Sequence, residues 1–119
     1  MTYLAVGIGG AFGAILRYLL SSFIPFSTNF PLATVCINWV GSFLLAYVIG
    51  KQIFKYHPTL HLCITTGLLG GFTTFSTFSL DTFQLLHNGL LFQAAIYIVS
   101  TVIGCLLLST FGFLLGKKE

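Results

Sequence analysis

The sequence predicts an all-α membrane protein of four transmembrane helices. Three observations carry that prediction. Of the 119 residues, 56% are hydrophobic and only 6% are charged, against about 25% charged in an ordinary soluble domain. Too little polar surface exists to coat a water-soluble globule. Four apolar stretches each approach the roughly 20 residues that cross a hydrocarbon core about 30 Å thick. Short polar or proline-containing segments separate them.

The first helix is expected over roughly 2–24, ending before Pro25. The second is expected over roughly 32–54, opened by Pro31, a favoured helix start. The third follows Pro58 and is expected over roughly 59–87, the fourth over roughly 89–116. Short loops make neighbouring helices antiparallel. The whole chain, 1–119, reads as a single transmembrane domain, with the first helix acting as its own insertion signal.

The third stretch contains Gly67-Leu68-Leu69-Gly70-Gly71-Phe72-Thr73-Thr74-Phe75-Ser76-Thr77-Phe78-Ser79. Adjacent glycines and a run of hydroxyl and β-branched residues are poor helix material. The composition predicts a helix broken near Gly70 to Ser76. Unwound backbone at membrane depth survives only inside protein or beside a wet cavity. The competing arrangement is a continuous helix whose Ser and Thr bond back to its own carbonyls.

Charge gives topology rather than a nucleic-acid surface. Five basic and two acidic residues leave a net charge of +3, too scattered for a clustered basic face. Lys51 and Lys55 fall between helices two and three, and Lys117 and Lys118 follow helix four. Four spans place all of them on the side of the N-terminus, which the positive-inside rule makes cytoplasmic. Cys36, Cys63 and Cys105 have no metal-site spacing and read as small packing residues. His57, His61 and His87 lack an accompanying carboxylate for a metal site.

Several polar residues inside the apolar runs are candidates for function. Arg17 in helix one is either an interfacial anchor or an attractor of anions at a vestibule. Gly9 and Gly13 form a small-xxx-small pair for close helix contact, within the chain or between subunits. Asn38 in helix two either glues two helices or aims an amide donor at a passing anion. Phe75 and Phe78 share a helix face. Their ring edges are electropositive and could stabilise a desolvated anion without trapping it, as conduction requires. Ser76 and Thr77 add hydroxyl donors beside them. Tyr97, Thr101, Gly104 and Cys105 fall near one face of helix four, as a pathway lining or a helix contact. Asp81 is the one acid inside the hydrophobic region. No catalytic triad or paired carboxylate is present, so enzymatic chemistry is not expected. A small multidrug-type exporter shares the length and helix number, but it would need an acid in helix one, and none is there.

Three motifs now converge. GGAFGAILRY at 9–18, PLATVCINWVGSFL at 31–44 and GLLGGFTTFSTFSLD at 67–81 make the chain resemble the Fluc (CrcB) fluoride channels over essentially its full length. The resemblance implies a fluoride-selective channel that passively exports cytoplasmic fluoride across a bacterial-type cell membrane. It implies an antiparallel, dual-topology homodimer with two anion pores at the interface. An oppositely oriented paralogue is the alternative partner, because the lysines here favour one orientation. By the same resemblance, Asn38, Phe75, Ser76, Thr77, Phe78 and Tyr97 line the fluoride pore, and Arg17 matches the arginine of helix one. Gly70 and Thr73 match positions whose main-chain carbonyls hold a structural sodium ion at the dimer centre. Cys105 and Asp81 stand where many relatives carry serine and glutamate.

Overall fold

The computed structural model describes residues 1–24 and 30–118. Pro25, the expected stop of the first helix, and Glu119 lie outside the described residues. Helix α1 spans Thr2–Phe23, and α2 spans Leu32–Lys51. A third segment then comes in pieces: α3 (Pro58–Leu62), a π-helical stretch (Cys63–Leu69), α4 (Gly70–Phe72) and, after an interruption, α5 (Ser76–His87). Helix α6 spans Leu91–Lys118. Three helices, α1, α2 and α6, are unbroken and long and apolar enough to cross a membrane. The third expected span falls into two half-helices, with the break that its composition predicts.

The boundaries have local causes. Pro31 lies one residue before α2 rather than inside its first turn. That helix stops at Lys51, short of the expected 54. Gln52 turns left-handed there, and its N–H closes on the Val48 and Ile49 carbonyls at 3.1 and 3.3 Å. Pro58 is the first residue of α3, where its missing N–H costs nothing. Between α5 and α6 the chain turns through Gly89, whose φ of +76° suits a residue without a Cβ. At about 1.5 Å per residue, the 28 residues of α6 give roughly 42 Å, longer than the hydrocarbon core.

The helices associate as two pairs. Helix α2 packs along α6, and α1 packs on the π-helical stretch and α4. Gly13 makes the second contact possible. A methyl group there would overlap the Leu68 carbonyl oxygen and stand 2.8 Å from the Phe72 nitrogen. Gly9 is likewise buried against the Cys63 carbonyl. The Gly9/Gly13 pair therefore serves packing within the chain. Tyr97 sits fully buried with Val35, Leu85 and Ala94, and Phe30, Trp39, Phe78 and Leu90 pack around them. The outer faces of α1 and α6 stay open, with Leu4, Ile8, Phe12, Leu106 and Leu107 exposed. So much uncovered apolar surface belongs against lipid.

Candidate functional site

The helix opens at 73–75, between α4 and α5. Thr73 leaves the helical region with ψ of 160°. In an unbroken helix the Thr74 N–H would reach back to the Gly70 carbonyl. Here it donates to Asn38 Oδ1 at 2.9 Å, while Asn38 Nδ2 donates to the Thr74 carbonyl at 3.0 Å. One buried side-chain amide thus replaces two helical backbone partners. This satisfies groups that would cost about 1–3 kcal/mol each if left bare. The opening is narrower than the expected 70–76, because Gly70 and Gly71 remain helical. Gly71 is instead used for contact: a Cβ there would lie 3.0 Å from Gly10 Cα.

Threonines also do the bonding back that an unbroken helix would allow. Thr65 donates to the His61 carbonyl and Thr73 to the Leu69 carbonyl. The chain opens nonetheless. Thr74 then starts the next helix: its hydroxyl oxygen accepts the Thr77 N–H at 3.1 Å and lies 3.2 Å from Ser76 Oγ. The bond satisfies one of the N–H groups left open in the first turn of α5, whose N-cap position is Phe75. The result is two helix ends facing one gap. The first half presents carbonyls, including that of Gly70, released from Thr74. The second half presents N–H groups at the positive end of its dipole.

Aromatic rings run outward from the core to this gap. Phe30 meets Tyr97 edge-on at 5.8 Å, Tyr97 meets Phe78 at 5.3 Å, and Phe78 meets Phe75 at 5.7 Å. Phe78 is half-buried, whereas Phe75 is 78% exposed on the outside of the chain. Beside the ladder, Asp81 Oδ2 accepts from Thr34 Oγ1 at 2.8 Å and from Tyr97 Oη at 3.1 Å. The Tyr97 hydroxyl is therefore committed to Asp81. Helices α2, α5 and α6 meet at that carboxylate.

Arg17 lies apart from the rings but close to the threonines. It lines a cavity of about 200 Å³ with Ser21, Thr34, Thr74 and Thr77. Its Nε is buried there without a hydrogen-bond partner among the described residues. Thr101 Oγ1, one turn beyond Tyr97, is buried in the same condition, and Cys105 follows half-buried as a free thiol. The fold thus brings Asn38, Phe75, Ser76, Thr77, Phe78 and Tyr97 to one region around the opening. Arg17 shares the adjoining cavity with Thr74 and Thr77.

Thr34 is the residue that sequence reasoning passed over. It sits one helical turn before Asn38, on the same face of α2, and that spacing was the available signal. The Gly70 carbonyl, freed by the break, and the turned-out Thr73 form the kind of all-oxygen donor set that suits a hard cation. The residues present therefore fit a main-chain sodium site.

These features define a membrane protein built on three continuous helices and a split fourth, with ionic and polar groups gathered at the split. The chain belongs to the CrcB family: the model of the CrcB-like protein, Camphor Resistance (CrcB), matches residues 4–113. A relative from Methanocaldococcus jannaschii, named fluoride-specific ion channel FluC, is 45% identical over 95% of this chain and 92% of its own. A FluC of Hydrogenobaculum sp. is 46% identical over 98% of both chains. FluC 2 of Geobacillus kaustophilus is 42% identical over 100% of this chain and 95% of its own.

Proposed function

We propose that this chain forms a fluoride-selective channel through which cytoplasmic fluoride leaves the cell passively. The observation that carries the proposal is the Phe75–Phe78 ring pair at the split of the third span, beside the hydroxyls of Thr74, Ser76 and Thr77. Fluoride is small and tightly hydrated, so many weak donors must converge to replace its water. Ring edges, hydroxyls and the second Nδ2 hydrogen of Asn38 are such donors. None is a full charge that would hold the ion, which is the balance conduction needs. The N-terminal end of α5 adds positive potential at the same place. Arg17 raises the local anion concentration from the adjoining cavity.

A single chain leaves Phe75 facing outward. A second copy lying against that face would enclose it, so the working unit is an antiparallel dimer in the cell membrane. Gly70 and Thr73 carbonyls from both copies would then hold a sodium ion at the centre. When bound, that ion supplies a fixed positive charge near the anion paths. Four lysines at one end favour a single orientation. That asymmetry supports an oppositely inserted paralogue as the alternative partner.

The test is fluoride efflux from vesicles holding purified Phe75→Ile or Phe78→Ile protein. Each variant is expected to lose at least about tenfold in flux, equivalent to about 1.4 kcal/mol in the barrier, while eluting at the size of the parent assembly. Undiminished efflux in both removes the rings from the pathway.

A further inference from the structure

One end of the bundle carries charge that ion conduction does not use. Lys51 closes α2, Lys55 lies in the turn after it, and Lys117 and Lys118 close α6. The two helices pack to their very ends: a Cβ on Gly116 would stand 2.9 Å from the Lys51 backbone nitrogen. The ends of α2 and α6 therefore share one rim; Lys51 Nζ is engaged there, donating to the Tyr47 hydroxyl at 3.2 Å, so the charge at the α6 end comes from Lys117 and Lys118. The opposing acids are few. Asp81 is bonded to Thr34, near the other end of α2 and roughly 25 Å away at 1.5 Å per residue. Glu119, the other acid in the sequence, directly follows Lys118 and offsets one of the four charges.

Below this rim lies a groove of about 470 Å³, lined by Phe111, Leu114, Leu115, Lys117 and Lys118. Positions 111, 114, 115 and 118 share one helix face. Because α6 is longer than the hydrocarbon core, its last turns reach headgroup depth. The groove is thus apolar toward the bilayer centre and cationic at its mouth. Lys117 Nζ also lies 6.0 Å from the Phe113 ring centroid, a cation–π contact one turn back along α6.

We propose that this groove binds an anionic phospholipid. Its acyl chain lies along Phe111, Leu114 and Leu115, and its phosphate lies at Lys117 and Lys118. A basic cluster flanking a membrane span is the chemistry that recognises such headgroups. A zwitterionic lipid offers the same chain but no net charge to match. The inference does not depend on what the chain conducts.

Native mass spectrometry of the purified, delipidated protein tests it, with phosphatidylglycerol and phosphatidylcholine titrated separately. Phosphatidylglycerol is expected to bind at least about tenfold more tightly, with a preference that shrinks as salt is raised. The Lys117→Gln/Lys118→Gln variant should lose most of that preference, at about fivefold per lysine. The Lys117→Arg/Lys118→Arg variant should keep it. Equal affinity for the two lipids in the unmodified protein overturns the proposal, and so does a preference that survives in the glutamine variant. Displacement of the lipid by millimolar inorganic phosphate would reassign the rim to free anions and overturn it as well.

Discussion

Helices α2 and α6 run for 20 and 28 residues without interruption and associate mainly by shape. At Gly104, α6 leaves room for the Trp39 indole, whose N–H closes the contact on the Ser100 carbonyl at 3.0 Å. The third span solves a different problem. It stops at Phe72, restarts at Ser76, and hands the intervening backbone to the side chains of Asn38 and Thr74. In lipid a regular helix satisfies itself, so its neighbours need only fit. An opened helix must be satisfied from outside, so its neighbours must bond. The polar residues of this chain are concentrated accordingly.

The largest expected effect falls on the opened helix. Asn38→Leu keeps the γ-branched shape but strands the Thr74 N–H and carbonyl. It should cost about 2–3 kcal/mol, read as a lower melting temperature in detergent, and should depress fluoride flux as well. Full thermal stability would mean that the amide pair is not what holds the split open. Gly104→Ala probes the shape-based contact. Its methyl would overlap Trp39 Nε1 and stand 2.7 Å from Cζ2. The expected loss is about 1–2 kcal/mol from overpacking, with flux per folded channel little changed. Thr34→Val should matter least. Asp81 keeps Tyr97 as a donor, so one interhelical hydrogen bond worth about 0.6 kcal/mol is removed. A thermal shift as large as that of Asn38→Leu would show that the Asp81 cluster, and not the clamp on Thr74, is the main brace.

Much of this was legible beforehand, for reasons that differ by residue. Apolar length alone gives the helices, and the glycine and threonine run announces a break. Its position was less legible, because two glycines together signal either an opening or a close contact. Gly71 proves to be the latter, against Gly10, and the opening falls three residues beyond Gly70. The π-helical turn at Cys63–Leu69 left no mark in the residue types. Asn38 stood out as a polar residue in an apolar helix, but its partner is a main chain 36 positions away, which no local pattern encodes. The same holds for Thr34 and Tyr97, which converge on Asp81 only through the packing of α2 and α6 around α5.

The most direct measurement is ion-selective efflux from vesicles containing the purified, unmodified protein. Rapid release of fluoride with no measurable release of chloride is the predicted result. Chloride leaving as fast as fluoride would contradict a pathway built from many weak donors fitted to a small, strongly hydrated anion.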